Sequence, residues 1–71
     1  MPTVVLHPKK EQRVYSGHPW VFRSDIDRVE GPCQDGDVVR VVSSRGRFLA
    51  MAVYNPRSQI SLRILSRKEE P

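Results

Sequence analysis

In Ile60-Ser61-Leu62-Arg63-Ile64 the apolar residues fall at every second position. That is the period of a strand with one face on a core and the other, carrying Ser61 and Arg63, toward solvent or a ligand. Upstream, residues 37–43 hold Val38, Val39, Val41 and Val42, whose branched side chains are stiff at χ1 and suit a pleated surface. Arg40 sits on one face of that strand. Phe48–Tyr54 is apolar on both faces, as a strand buried on two sides must be, and Asn55-Pro56 ends it because a residue before proline is pushed out of helix. Between these strands Ser43-Ser44-Arg45-Gly46-Arg47 reads as a hairpin connection, its glycine supplying the positive φ such turns demand.

The N-terminal half is less regular. Thr3–Leu6 is rich in β-branched residues and reads as a first strand, bounded by Pro8. Residues 9–15 contain neither Gly nor Pro and predict a helix of barely two turns, stopped by Gly17 and Pro19. Ile26–Glu30 is a weaker strand, closed by the turn Gly31-Pro32-Cys33-Gln34-Asp35-Gly36. Mostly β with one or two short helices, such a chain suits a small pseudo-barrel of mixed strands that curls to hide its edges. With 71 residues it forms one domain burying about 60% of its unfolded surface.

Twelve Lys and Arg against eight Asp and Glu leave a formal charge of +4, which favours a polyanion such as nucleic acid as partner. Nine of the twelve cations are Arg, better suited than Lys to planar, bidentate recognition. No apolar stretch approaches the ~20 residues that cross a bilayer, and the N-terminus has none of the features of a signal peptide, so a membrane partner is not expected and a cytoplasmic location is. The lone Cys33 fits a reducing compartment.

Two phrases carry a resemblance: His18-Pro19-Trp20-Val21-Phe22, and Gly46-Arg47-Phe48-Leu49-Ala50-Met51-Ala52-Val53-Tyr54-Asn55-Pro56 followed by Ser58-Gln59-Ile60. Together they resemble the N-terminal PUA domain of SAM-dependent ribosomal-RNA cytosine-C5 methyltransferases, over essentially the whole chain. The resemblance implies an RNA-binding module at residues 2–66 that holds structured ribosomal RNA for a catalytic domain. Residues 67–71 then form a polar, frayed tail toward a linking segment. It also implies SAM as cofactor of the parent protein but none in this chain, which has no glycine-rich turn between strand and helix to hold a nucleoside. PUA domains commonly close with an additional strand, and nothing after Leu65 supplies one.

For RNA contact, Lys9, Lys10 and Arg13 share the predicted helix and would project over one face; the plainer reading is a solvated helix surface. Arg45 and Arg47 flank Gly46 at the hairpin tip, where two guanidinium forks suit phosphate oxygens, although loop arginines often serve only solubility. Arg23 and Arg57 are similar cases. Trp20 is assigned to the core with Phe22, Phe48 and Tyr54 rather than to base stacking, and His18 to a local hydrogen bond. In the resembled family a cysteine attacks the base; Cys33, in a Gly-Pro turn without an adjacent histidine, reads instead as a turn residue. Cys33, His7 and His18 lack the paired spacing of a zinc site. Asp25, Asp27, Asp35 and Asp37 read as capping or solvated acids.

Overall fold

The structure, a computed structural model, describes residues 1–69. In chain order it comprises β1 (Thr3–Leu6), α1 (Gln12–Tyr15), β2 (Trp20–Phe22), a 3₁₀ turn (Arg23–Asp25), β3 (Ile26–Glu30), β4 (Val38–Val42), β5 (Phe48–Tyr54) and β6 (Ile60–Ser66). The six strands form one sheet in the order β2-β6-β5-β4-β1-β3. Every pairing is antiparallel except that of β1 with β4.

Connectivity forces this sheet to curl. Its two edges, β2 and β3, are consecutive in the chain and joined only by the three residues Arg23–Asp25. Laid flat, six strands would hold their edges about 24 Å apart, whereas such a link spans at most about 14 Å. The sheet therefore wraps into a half-closed barrel of mixed strands, in keeping with the expected pseudo-barrel. His7 N–H donates to the Asp25 carbonyl at 2.9 Å and Arg23 N–H to the Gln59 carbonyl at 2.8 Å, fixing the link to strands on both sides. β2, a segment not expected to be a strand, adds a sixth strand at the β6 edge of the sheet.

Inside the curl, Val4 and Leu6 of β1, Val39 and Val41 of β4, Ala50 and Ala52 of β5, Leu62 of β6 and Val21 of β2 form the core with Val14 of α1. The single turn of α1 lies against β2 and β5, where the small side chains of Ala50 and Ala52 let it approach. Burying a side chain the size of Leu62, fully enclosed here, contributes roughly 1.5 to 3 kcal/mol.

Four expectations need correction. Trp20 is 41% exposed. Val21, opposite Leu62, is the residue of β2 that points inward, so the period of two puts Trp20 outside beside its partner Arg63. Its expected companions are only half-buried: Phe22 lies beneath the Arg13 guanidinium, Phe48 beneath that of Arg40, and Tyr54 packs at the edge of the core. Second, Ser61 is fully buried rather than presented to solvent; its hydroxyl donates to the Ser58 carbonyl at 2.9 Å, so the β5–β6 loop folds over it. Third, the helix begins at Gln12, three residues later than expected. Fourth, the tail is anchored at its start: the Arg67 guanidinium donates to the carbonyls of Val14 at 2.7 Å and His18 at 3.1 Å, and Glu69 pairs with Arg40. Residues 70 and 71 of the expected tail lie outside the described residues.

Candidate nucleic-acid interface

The late start of α1 has a local cause. His7-Pro8-Lys9-Lys10 closes a turn in which Lys10 N–H donates to the His7 carbonyl at 3.1 Å. Proline in second place pre-sets its φ and suits either common turn type; here the third residue takes the positive φ of a type II turn. That residue is Lys9, at φ +73°, the one non-glycine residue in this region of the backbone among those described. A side chain there costs of order 1 kcal/mol or more. Lys9 and Lys10 thus lie in the turn that precedes α1, so the expected shared helical face of Lys9, Lys10 and Arg13 does not form. Lys10 is exposed in the turn.

Arg13 is spoken for inside the protein. Its Nε lies 3.6 Å from the buried Asp25 carboxylate, and its guanidinium stacks 4.6 Å above the Phe22 ring. It joins α1 to β2 and to the 3₁₀ link, and a carboxylate that buried needs a partner.

At the other wall, the Ser43–Arg47 connection is held by one residue. Ser43 N–H donates to the Arg47 carbonyl at 2.8 Å and its own carbonyl accepts from Gly46 N–H at 2.9 Å. The Ser43 hydroxyl accepts further from the amides of Arg45 at 3.3 Å and Arg47 at 3.2 Å. Gly46, at φ +85°, completes the bulged turn. Arg45 and Arg47 thus leave a rigid tip as exposed side chains.

The two segments meet across a groove of about 420 Å³. Pro8, Lys9, Glu11 and Tyr15 line one side; Ser43, Ser44, Arg45 and Arg47 line the other. The structure so brings together three of the sequence-derived candidates, Lys9, Arg45 and Arg47, from segments over thirty residues apart. Among the described residues none of the three forms an ion pair. Sequence reasoning passed over Tyr15, 56% exposed, and Glu11, whose Oε2 is enclosed without a hydrogen-bond partner. An aromatic inside a polar, helix-forming stretch was the available clue to Tyr15; nothing local marks Glu11.

Arg23 and Arg57 stand elsewhere, by the β5–β6 loop at the opposite end of β5. Arg23 donates to the Pro56 carbonyl at 3.4 Å, and Arg57 Nε lies 3.1 Å from Asp35. Beside them Cys33 is half-buried against the core. Burial, then Asp37 and Asp35, push its thiol pKa up, away from the thiolate a nucleophile needs. Burial likewise raises Tyr54, with Cys33 and Asp35 adding to it. Among the described residues no three His, Cys, Asp or Glu are grouped to hold a metal ion, and no helix is long and apolar enough to cross a membrane.

Residues 4–67 match the family described as PUA-like domain. Over 70 residues, 99% of this chain, the sequence is 40% identical to the ribosomal RNA large subunit methyltransferase I of Vibrio cholerae. It is 38% identical over 68 residues to the protein of that name from Tolumonas auensis. The chain spans only 18% and 17% of the lengths of these relatives. Among solved structures, a conserved PUA domain protein from Thermoplasma acidophilum superposes with TM-score 0.78 at 20% identity, over 96% of this chain and 50% of the other. A chain of an H/ACA RNP bound to a substrate RNA superposes with TM-score 0.74 at 15% identity, over 99% of this chain and 24% of the other.

Proposed function

This chain belongs to the PUA-like domain family, and from that premise we propose that it binds structured RNA across the groove between the Pro8–Tyr15 segment and the β4–β5 hairpin. The observation that carries this reading is the trio Lys9, Arg45 and Arg47, exposed around one concavity with no carboxylate paired to them among the described residues. Cations without internal partners are free to displace counterions from phosphates. Arginine forks on a rigid tip lose little freedom when they grip a phosphate bidentately. Lys10, exposed beside Lys9, extends the patch.

Contacts of this kind set position and orientation and read little sequence. In a larger protein of the kind the relatives' names describe, the module would hold ribosomal RNA while a separate unit carries SAM and performs the cytosine-C5 methyl transfer. The substrate RNA named with the H/ACA structure and the likeness to ribosomal RNA methyltransferases support an RNA partner. A cytoplasmic location accords with that role.

A second reading has an observation of its own. On the outer sheet face Trp20, Arg63, Val53 and Val38 align in one row across four strands, with Leu65 exposed nearby. Such a face suits packing against the remainder of a larger protein. Titration of labelled ribosomal-RNA fragments at several salt concentrations separates the two. RNA binding through phosphates gives affinity falling steeply with salt, and strongly weakened in an Arg45→Glu/Arg47→Glu variant. Affinity indifferent to both salt and this double change would refute the groove assignment.

A further inference from the structure

The groove holds two side chains that phosphate contact does not explain. Glu11 is a carboxylate among three cations, and would repel a phosphate brought to it. One of its oxygens is enclosed without a hydrogen-bond partner, so a ligand's donor would have to reach the carboxylate through a turn of its terminal torsion. Tyr15 offers an aromatic face, 56% exposed, on the same wall. A carboxylate and an exposed aromatic face within a cationic rim, all lining one groove, are the complement of one nucleotide: N–H edge, π-face and phosphate.

Resting on the RNA-binding reading, we propose that the groove takes a single unpaired nucleotide whose base carries an exocyclic amino group. The base stacks on Tyr15, its amino group donates to Glu11, and Lys9, Arg45 and Arg47 hold the flanking phosphates. The volume, about 420 Å³, falls in the range of sites for one small ligand, roughly 300 to 1,000 Å³. A paired base does not qualify. In a helix its edge is occupied and both faces are stacked, whereas a splayed-out base exposes both. The last torsion of a glutamate is soft, so Glu11 can turn either oxygen to the incoming donor. Adenine, cytosine and guanine each offer that donor on the Watson–Crick edge. Uracil instead sets two carbonyl oxygens around its one N–H, and these face the carboxylate with like charge. Glu11 is therefore the residue that discriminates among bases, Tyr15 the platform that is indifferent to them.

The test uses the 71-residue chain and fluorescence anisotropy with hairpin RNAs identical except at one position: a bulged cytidine, a bulged uridine or no bulge. Free cytidine monophosphate serves as a competitor. The bulged cytidine should bind about tenfold more tightly than the bulged uridine, the range in which one good polar pair discriminates. Glu11→Gln, which keeps shape while removing charge, should bring cytidine and uridine together. Tyr15→Ala should reduce both bulged RNAs to the affinity of the fully paired one, and Tyr15→Phe should restore them, because the ring alone supplies the stack. A circular-dichroism melt of each variant separates a defect in binding from a defect in folding. Equal affinity of the wild type for all three hairpins overturns the nucleotide site and leaves RNA binding standing. Failure to bind any hairpin overturns the RNA reading itself. Saturable binding of the free nucleotide without any RNA binding assigns the groove to a soluble nucleotide and overturns the RNA source.

Discussion

Both ends of β5 carry arginines on loops, yet only one end is electrically open. At the β4–β5 tip, Arg45 and Arg47 stand on a turn braced by Ser43 with no acid paired to them among the described residues. At the other end Arg57 lies against Asp35, and Arg23 against the Pro56 carbonyl. A strand of seven residues separates the two ends by about 20 Å, about two and a half Debye lengths at physiological salt, so each behaves on its own. Formal charge per residue type is therefore a poor guide to where a polyanion settles. What counts is which cations the fold leaves without an internal partner.

The sharpest way to break this contrast is paired charge reversal. Arg45→Glu/Arg47→Glu should weaken binding to structured RNA by about a hundredfold at low salt, on the order of tenfold for each phosphate grip removed. Arg23→Glu/Arg57→Glu should change it by only a few fold. Filter binding on both variants decides the matter, and equal weakening in the two would erase the distinction between the ends.

Arg13 tests whether a cation inside the fold can be mistaken for one at its surface. Arg13→Ala strands the buried Asp25 carboxylate and should cost about 2 to 3 kcal/mol in chemical denaturation. Arg13→Ala/Asp25→Asn, which removes both charges, should recover much of that. If Arg13→Ala melts like the wild type but releases RNA, the residue belongs to the interface after all.

Two smaller effects sharpen the comparison further. Lys9→Gly relieves the positive φ and should leave stability unchanged or raised by up to about 1 kcal/mol, while RNA affinity drops several fold. Opposite signs in one variant mark a strained functional side chain. At the other end the raised thiol and phenol of Cys33 and Tyr54 set a pH dependence. An acid whose folded pKa lies above its unfolded value stabilises fully below the unfolded value and loses that contribution as pH climbs through the folded one. Melting temperature should therefore decline slightly from neutral pH to about pH 10, and less in Cys33→Ser. RNA affinity below that range should not follow.

Much of the sheet was legible. Thr3–Leu6, Ile26–Glu30 and Phe48–Tyr54 form as strands with the bounds read from residue type alone, because β-branching, alternation and turn residues act locally. β2 escaped because three residues are too few to show a period, and a tryptophan beside proline reads as core by bulk alone. The helix was overextended because residues 9–15 lack breakers, while the turn that takes up Lys9 and Lys10 is closed on the His7 carbonyl and runs through Pro8, both outside that window. Lys9, Arg45 and Arg47 were each identifiable as cations near turns. Their convergence on one groove was not, since it depends on β1 lying beside β4 in parallel register, a pairing between segments far apart in sequence. Arg13, Arg40 and Arg67 show the converse: nothing local reveals that a guanidinium will lie on a ring or on carbonyls.

The three-residue link between the sheet's edges also bears on the order of assembly. Strands β4, β5 and β6 are successive hairpins whose loops close quickly, whereas β2 must find β6 across about forty residues of chain. Loop-closure entropy makes so distant a pairing slow and late. The meander is thus expected to be the nucleus, with β2 zipping onto a preformed edge once the link has brought it round. By the same logic that strand should open first. Amide exchange at Val21 and Arg23, whose N–H groups face β6 and Gln59, should run ahead of exchange at Val41 and Ala52, and the domain would breathe at the β2–β6 seam while the meander stays shut.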